Sequence, residues 1–377
     1  MFEDLLIYRY NVNENDIGPR ELINYAFKNN IAVGNIWHNY LTNLILNDEN
    51  AFTLACERQN IKSESLSFLG RHDLEIFRNL FEIGVNYDLD GEFNNPVCLL
   101  AKIIADSPKD EIFNIVTEYF KNYGVGIFAN NKAFRFDGLK SEFIPVKHVG
   151  NINLNDIIGY ELQKQELISN TEAFINNKPA NNVLLYGDGG TGKSSSIKAL
   201  LNKYFDQGLR VIEIYKYQFR DILKITNLIR ERNYYFILFI DDLSFEENES
   251  EYKYLKAVIE GGIETRPENI LIYATSNRRH IIREIWSDRD DMEHNGDIHR
   301  SDTVEEKLSL ASRFGIALNY SAPDRNMYHE IIKNLALKSG IKINSELFKN
   351  ADAWEIRHGG KSGRAAKQYI DYLLGKL

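Results

Sequence analysis

The chain has 377 residues, of which 44% are hydrophobic and 12% aromatic, and its formal net charge is −9. We expect a globular protein of two or three domains with ample material for a buried core. The longest strongly apolar run, residues 234–240, is too short to span a membrane, and the acidic N-terminus has no secretion signal. We therefore expect a cytoplasmic protein with no membrane attachment.

The negative charge is concentrated near the beginning of the chain. Residues 1–150 contain 14 Lys and Arg against 21 Asp and Glu, whereas the remainder has 31 against 33. An acidic front segment lacks the basic footprint that nonspecific binding of nucleic acid requires. Nucleic acid is therefore a disfavoured partner, although a local basic patch is compatible with this average.

Residues 1 to about 120 show apolar stripes at helical spacing. These stripes predict a mostly helical domain whose aromatic residues form its core. A small β-hairpin is expected over residues 127–136, with its turn at Asn130-Asn131, and the stretch 137–150 is the expected linker. We place the N-terminal domain at residues 1–145 and expect it to select a partner or substrate.

From Leu154 onward, predicted strands alternate with helices, which favours a parallel sheet with right-handed crossovers. This α/β domain is placed at residues 146–322. A last segment, residues 323–377, has helical patterning only. The predicted strands cover residues 183–186, 210–215, 235–240, 270–275 and 316–320.

A glycine-rich run, Gly-Asp-Gly-Gly-Thr-Gly-Lys-Ser at residues 187–194, follows the first of these strands. Such a turn between a strand and a helix directs backbone N–H groups inward and forms a phosphate site. Lys193 is expected to reach the β- and γ-phosphates of a nucleotide, and Ser194 to ligate Mg²⁺. The predicted nucleotide-binding residues are Gly187, Asp188, Gly189, Gly190, Thr191, Gly192, Lys193, Ser194 and Ser195.

Two further strands end in polar residues that belong beside this loop. The third predicted strand is followed by Asp241, expected to hold the Mg²⁺ shell through water, and by Asp242, expected to polarise the attacking water. Many ATPases with a phosphate loop of this kind have Glu at the second position, where this chain has Asp. Glu246 and Glu247 are alternative candidates for the residue that polarises the water. The fourth predicted strand leads to Asn277, whose amide is expected to orient the same water.

Other features have more than one interpretation. The run Tyr215-Lys216-Tyr217 follows the second strand, where protein-threading ATPases have aromatic pore loops, but it also suits strand core. The run Arg278 to His280 fits a solvated loop, an intersubunit contact or a nucleotide contact. The acidic stretch 288–302, with His294 and His299, favours a solvated loop over a metal site. A GTPase is disfavoured because no Asn-Lys-x-Asp motif follows the phosphate loop.

The phosphate loop, the Asp pair and Asn277 together resemble the set found in AAA+ ATPases. Arg313, just before the last strand, corresponds to the arginine finger of that superfamily, and Arg364 to the second sensor arginine of its lid. A more specific resemblance is to a bacterial AAA+ family described as a domain of unknown function, over residues 145–377. The strings that support it are PANNVLLYGD (179–188), DDLSFE (241–246), ATSNRRH (274–280), VEEKLSL (304–310) and RHGGKSGRAA (357–366).

This resemblance implies an α/β fold, with a P-loop AAA+ core whose parallel five-stranded sheet has the order 5-1-4-3-2. It also implies a C-terminal helical lid at residues 323–377 and a nucleotide between core and lid, with Ile157 and Ile158 on the adenine side. In such an assembly Arg313 serves the site of a neighbouring subunit, and Arg364 reports the nucleotide state to the lid.

The resulting hypothesis is an AAA+ protein that binds ATP and Mg²⁺, hydrolyses ATP, forms a homo-oligomer and remodels a protein partner bound through residues 1–145. Two alternatives stay open. The first is a helicase-loader-like or other nucleic-acid-remodelling ATPase, which the acidic balance disfavours. The second is a nucleotide-gated scaffold with negligible turnover, which is compatible with Asp242 in place of Glu.

Overall fold

The computed structural model describes residues 19–59, 63–83, 88–93, 95–245, 252–260, 267–277 and 313–376. The chain forms two compact units, which divide between Asn130 and Asn131. Several residues considered above lie outside the described residues. They are Glu246, Glu247, Arg278, Arg279, His280, the stretch 288–302 and the string 304–310.

The first unit is helical, as its apolar stripes predict. Its helices start at residues whose side chains accept hydrogen bonds from otherwise free N–H groups, among them Asn35, Asn50 and Asn95. A short antiparallel pair joins two of its loops. The elements are α1 (Pro19–Lys28), β1 (Gly34–Asn35), α2 (Ile36–Asn47), α3 (Ala51–Glu57), α4 (Glu64–Phe81), β2 (Asp88–Leu89), α5 (Pro96–Asp106), α6 (Ile112–Tyr123) and α7 (Ile127–Asn130).

The aromatic stripes of this unit form its core. Trp37, Phe77 and Phe120 are buried in one cluster with Leu41 and Val116. The indole N–H of Trp37 donates to the carbonyl oxygen of Leu80 at 2.9 Å, so its polar atom is satisfied as well. The prediction that these stripes are core is confirmed.

The predicted hairpin is displaced along the chain. Residues 127–130 are helical, and the paired strands are β3 (Ala133–Asp137) and β4 (Glu142–Pro145). The carboxylate of Asp137 accepts hydrogen bonds from two of the N–H groups that follow it, at 3.0 and 3.1 Å. An Asp that binds its own backbone in this way forms a turn directly. The turn expected at Asn130-Asn131 is therefore wrong.

The hairpin belongs to the second unit because β3 also pairs, in parallel, with β6 (Leu209–Glu213). The first unit accordingly ends at Asn130, upstream of the boundary expected at residue 145. Among the described residues the sheet has seven strands where five were expected, because the hairpin extends its edge.

The strand order of this sheet is β4-β3-β6-β7-β8-β5-β9. Counted from β5 along the chain, the last five strands are parallel and have the order 5-1-4-3-2, which confirms the expected core topology. The central strands are apolar throughout because both faces of a parallel sheet are covered. The remaining strands are β5 (Val183–Gly187), β7 (Tyr235–Ile240), β8 (Ile270–Ser276) and β9 (Ile316–Tyr320).

Helices cover the sheet, and three helices after β9 form the predicted lid with a hydrophobic cluster of its own. Asp324, Asn344 and Ser362 cap the three lid helices. None of the described helices has the length and apolar character needed to cross a bilayer. The helices of this unit are α8 (Glu161–Ile175), α9 (Lys193–Tyr204), α10 (Ile222–Ile229), α11 (Tyr252–Glu260), α12 (Arg325–Lys338), α13 (Ser345–Arg357) and α14 (Gly363–Leu374).

Candidate functional site

The phosphate loop lies at the carboxyl end of β5 and leads directly into α9, whose first residue is Lys193. Gly187, Gly190 and Gly192 have φ angles of 129°, 73° and 101°. Glycine adopts these angles without the strain that a side chain would cause, so the loop can turn its N–H groups inward. The first turn of α9 adds further N–H groups to the same concave surface.

Limited space also requires glycine at two of these positions. A Cβ atom on Gly187 would lie 2.4 Å from the carbonyl oxygen of Tyr320, and one on Gly190 would lie 2.9 Å from the Cβ of Arg364. By contrast, a Cβ atom on Gly189 would meet nothing within 4 Å. The loop is therefore packed against both the end of β9 and the start of α14.

Lys193 is only 4% exposed. Its ammonium group donates hydrogen bonds to the carbonyl oxygens of Gly187 at 3.0 Å and Asp188 at 2.6 Å. Burial lowers the pKa of Lys193, while the carboxylates of Asp188, Asp242 and Asp241 oppose that shift. The ammonium is thus held inside the loop and needs only a short movement to reach an incoming phosphate.

The end of β7 lies beside the first turn of α9. Ser194 Oγ donates a hydrogen bond to Asp241 Oδ1 at 2.7 Å, and Ser195 is half-buried in the same turn. The donated proton leaves lone pairs on the serine oxygen for a cation. Mg²⁺ is usually held by one or two hard oxygen ligands together with water and substrate phosphates. Ser194 and Asp241 fit that role; the described residues contain no cluster of three or more His, Cys, Asp or Glu for a metal.

Asp242 and Asn277 are also brought together. Asp242 has a φ of 54°, which is uncommon for a residue other than glycine. Its Oδ1 accepts a hydrogen bond from Asn277 Nδ2 at 3.0 Å. Backbone strain of this kind persists where the surroundings fix a residue, and it is frequent at functional sites. The two residues predicted to handle the attacking water therefore form one hydrogen-bonded pair.

Thr275 is a residue of this site that the sequence analysis missed. It is 2% exposed; its hydroxyl donates to Asp241 Oδ1 at 2.5 Å and accepts from the Asp242 N–H at 3.0 Å. The available signal was a hydroxyl in β8, two residues before Asn277. A threonine in an apolar strand is ordinarily explained by sheet packing alone, so only the pairing of β7 with β8 identifies its role.

The segment before α8 lies between the phosphate loop and the lid. A Cβ atom on Gly192 would lie 3.2 Å from Ile157, whose carbonyl oxygen accepts from the ammonium of Lys164 at 2.8 Å. Ile158 packs against the hydrophobic cluster of the lid. The two residues implied for the adenine side thus lie at the junction of core and lid, and their contact with a base stays a prediction.

Two hydrogen bonds join the phosphate loop to the residues that follow β9. The Asp188 carboxylate accepts from the N–H of Ala322 at 2.7 Å, where the chain passes from the sheet to the lid. The N–H of Arg364 donates to the Gly190 carbonyl oxygen at 3.3 Å. Within the loop, Thr191 Oγ1 donates to the Asp188 carbonyl oxygen at 2.9 Å. The loop and the lid are therefore in direct contact.

Arg313 lies near the amino ends of the strands, opposite the carboxyl ends where the phosphate loop begins. Gly187 pairs with Tyr320 at the carboxyl ends of β5 and β9, whereas Val183 pairs with Ile316 at their amino ends. Because Arg313 precedes Ile316, a strand of about 16 Å lies between it and the loop. The fold does not bring Arg313 to the phosphate loop of its own chain.

Comparison with known proteins gives one family and several solved structures. A family model described as Protein of unknown function (DUF815) matches residues 129–377. The Thermotoga maritima RuvB Holliday junction branch migration motor is 18% identical over 59% of this chain and 72% of that chain, with a TM-score of 0.34. The FIGL-1 AAA domain in complex with ADP is 18% identical over the same shares, with a TM-score of 0.40.

A further solved structure, that of C. elegans PCH-2, is 19% identical over 57% of this chain and 63% of that chain, with a TM-score of 0.38. No curated protein matches the chain. These likenesses leave the substrate and the partner to be inferred from the residues of the site.

Proposed function

The chain belongs to the family described as Protein of unknown function (DUF815), and from its site we propose that it is a Mg²⁺-dependent AAA+ ATPase that remodels a protein partner. The observation that supports this most directly is the 2.7 Å hydrogen bond between Ser194 and Asp241. It brings the phosphate loop and the acid that follows β7 within reach of one cation. ATP hydrolysis requires that combination, whereas a glycine-rich loop alone would bind only an anion.

In this proposal the inward N–H groups of the loop and the ammonium of Lys193 bind the triphosphate. Lys193 exchanges its hydrogen bonds to loop carbonyl oxygens for bonds to phosphate oxygens, which are charge-assisted and stronger. Mg²⁺, when bound, neutralises charge on the β- and γ-phosphates. Ser194 supplies an oxygen ligand for it, and Asp241 accepts hydrogen bonds from its water shell.

Asp242 and Asn277 act on the attacking water. The water oxygen bonds to the γ-phosphorus, the bond from that phosphorus to the bridging oxygen breaks, and ADP and phosphate result. Asp242 accepts the proton that the water releases, and the hydrogen bond from Asn277 fixes the carboxylate that does so. Asp is one methylene shorter than Glu, so a second water between Asp242 and the attacking water is consistent with this arrangement.

Arg313 completes the site of a neighbouring subunit in this proposal. Its position at the amino edge of the sheet, away from the loop of its own chain, is what a residue acting in trans requires. An arginine supplied in this way stabilises charge in the transition state and raises turnover by about 10³–10⁵. Turnover then depends on assembly, and the chain acts as a homo-oligomer.

Arg364 and the helical N-terminal unit have the remaining roles. Arg364 lies in the first turn of the last lid helix and contacts the loop through its backbone, so movement of the loop on hydrolysis reaches the lid directly. The protein partner binds through residues 1–145. Tyr217 follows β6 in the sequence and is 75% exposed, and its ring provides a second contact for a polypeptide.

Calorimetric titration of the purified full chain with ATP, with and without Mg²⁺, tests the proposal. We expect uptake that Mg²⁺ strengthens and that is lost in Lys193→Ala, together with an ATPase rate per chain that rises with protein concentration. Absence of Mg²⁺-dependent uptake by the folded chain would refute the proposal. Uptake without turnover at any concentration would instead indicate the nucleotide-gated scaffold.

The nucleic-acid alternative is separated by adding single-stranded DNA to the same ATPase assay. A nucleic-acid remodeller would be stimulated, and the stimulation would fall steeply with salt because phosphate contacts release counterions. We expect no such stimulation, and we expect an unfolded protein to stimulate turnover instead.

A further inference from the structure

One residue binds three consecutive residues after β7, the strand that ends at the candidate catalytic acids. The Thr275 hydroxyl is hydrogen-bonded to the Asp241 carboxylate and to the Asp242 N–H. The carbonyl oxygen of the same residue accepts from the Leu243 N–H at 2.6 Å. The turn that holds both acids is therefore fastened to a single residue of the neighbouring strand.

The donor and acceptor groups around Thr275 determine the direction of its hydroxyl proton. An N–H group can only donate, so Thr275 Oγ1 must accept from Asp242. Its single hydroxyl proton is then directed to Asp241 Oδ1, which also accepts from Ser194. With Oδ1 accepting two hydrogen bonds, rotation of the Asp241 carboxylate is restricted.

The second hydrogen bond acts on Asp242. That residue has its backbone in the left-handed region at φ 54°, a conformation that costs free energy for an L-residue with a side chain. The hydrogen bonds that Thr275 accepts from the N–H groups of Asp242 and Leu243 stabilise the turn that requires this angle. The carboxylate of Asp242 is thereby held within hydrogen-bonding distance of Asn277.

We propose that Thr275 is the positioning residue of this site: one buried hydroxyl orients both Asp241, which holds the hydrated cation, and Asp242, which receives the proton from water. The proposal rests on the ATPase function proposed above. It assigns to Thr275 an effect on Mg²⁺ use and on turnover, and none on the binding of nucleotide by the loop, because the hydroxyl of Thr275 is bonded to Asp241 and Asp242, whereas Lys193 donates to carbonyl oxygens of the loop.

Thr275→Val tests this assignment, because valine keeps the shape and removes the hydroxyl. Thr275→Ser restores the hydroxyl with less packing. Ser276→Ala is the matched control: Ser276 is the adjacent strand residue, it is fully buried, and within the described residues its hydroxyl has no hydrogen-bond partner. All three full-length variants are first compared with the parent by thermal unfolding.

Two measurements separate positioning from folding. Steady-state ATPase assays give kcat, KM for ATP and the Mg²⁺ concentration at half-maximal rate. Calorimetry gives the affinity for ATP with and without Mg²⁺, which requires no turnover. For Thr275→Val we expect kcat to fall about ten- to hundredfold and the Mg²⁺ requirement to rise by a similar factor, the usual effect of removing a partner of a metal ligand. The affinity for ATP without Mg²⁺ should be unchanged.

Thr275→Ser should recover most of the lost rate, and Ser276→Ala should match the parent in every measurement. Parent-like kcat and Mg²⁺ dependence in Thr275→Val would overturn the assignment while leaving the proposed ATPase intact. Equal loss of ATP affinity with and without Mg²⁺ would also overturn it, since that indicates collapse of the loop. If valine prevents folding, Thr275→Ala replaces it, because alanine removes the hydroxyl without placing a methyl group against the Asp242 N–H.

Refutation of the proposed ATPase function can be distinguished from refutation of the role of Thr275. If the parent chain takes up no ATP in the presence of Mg²⁺, the ATPase and the role of Thr275 are both wrong. If the parent hydrolyses ATP and the valine variant does so equally well, only the role of Thr275 is wrong.

Discussion

Arg364 lies directly against Gly190. The backbone N–H of Arg364 donates to the Gly190 carbonyl oxygen at 3.3 Å, and a Cβ on Gly190 would lie 2.9 Å from the Cβ of Arg364. Gly363, the preceding residue, is equally close: a Cβ there would lie 3.2 Å from the same carbonyl oxygen. The first turn of the last lid helix is thus in direct contact with the phosphate loop.

Gly190→Ala should destabilise this contact. The added methyl group would enter the space of Arg364 and Ser362, and the φ of 73° is unfavourable for alanine. We expect a loss of about 1–3 kcal/mol in the free energy of unfolding, measured by urea titration. Gly189→Ala is the control for stability, because its added Cβ would meet nothing within 4 Å. Equal stability of the two variants would contradict the packing described here.

Lys193→Ala should remove ATP hydrolysis. Lys193 is buried inside the loop, where its ammonium group donates to the carbonyl oxygens of Gly187 and Asp188. Loss of one charged donor at a phosphate site lowers turnover by about 10²–10³. Lys198→Ala, which removes an exposed lysine from the same helix, should retain the parent rate. A parent-like rate in Lys193→Ala would exclude the nucleotide site proposed here.

Arg313→Ala should be inactive alone and should regain activity in a mixture. Arg313 is distant from the loop of its own chain, so in an oligomer it would act on the neighbouring site. Mixing Arg313→Ala with Lys193→Ala gives some interfaces with an intact Lys193 on one side and an intact Arg313 on the other. If random assembly occurs, an equal mixture should recover about a quarter of the parent rate. No recovery after subunit exchange would argue against action in trans.

The phosphate loop was predictable because its pattern is local: consecutive glycines, Lys193 and Ser194 specify the turn by themselves. Asp241 and Asn277 were predictable because the carboxyl ends of parallel strands meet at one edge of the sheet. Thr275 and Asp188 were not identified as partners of Asp241 and Ala322, since those hydrogen bonds join residues 34 and 134 positions apart. Such contacts depend on the exact register of neighbouring strands, and residue patterns do not determine it.

The hairpin illustrates the same limit at the level of the fold. The sequence predicted a hairpin in this region, but it predicted neither the position of the turn nor the unit to which the hairpin belongs. The turn depends on the side chain of Asp137 binding the backbone that follows it, and the domain assignment depends on the pairing of β3 with β6, whose paired residues are 78 positions apart. A pairing of that kind is decided by tertiary packing.

Asp156 should stabilise the contact between core and lid in a pH-dependent manner. The hydrogen bond from Lys338, followed by that from the Asn153 N–H, lowers the pKa of Asp156 below its usual range. Because the folded-state pKa is the lower one, the stabilisation is present above the unfolded pKa of about 4 and is lost as the pH falls through the folded pKa. Both side chains are partly exposed, so we expect less than about 1 kcal/mol.

Asp156→Asn measures this effect because asparagine can still accept from the Asn153 N–H. The parent should be more stable than the variant near pH 6, and the difference should shrink in urea titrations as the pH falls below the unfolded pKa of about 4. A difference that stayed constant over that range would show that the charge of Asp156 makes no contribution.

Tyr217→Ala should separate ATP turnover from work on a partner. Tyr217 is 75% exposed and stacks on Tyr215 with ring centroids 5.7 Å apart and planes 9° from parallel. Tyr215 is fixed in turn, since its hydroxyl donates to Glu213, which is also paired with Arg135. The outer ring is therefore held on a rigid support and exposed to solvent, which suits contact with a polypeptide.

The expected result follows from where Tyr217 lies. Its ring stacks on Tyr215 and is otherwise largely exposed, so Tyr217→Ala should keep the basal ATPase rate and, because the side chain is exposed, the unfolding midpoint. Stimulation of the ATPase by an added unfolded protein should be lost in Tyr217→Ala and retained in Tyr217→Phe, which preserves the ring. Equal stimulation of the parent and the alanine variant would show that this residue does not contact the substrate, and the partner surface would then have to be sought in the N-terminal helices.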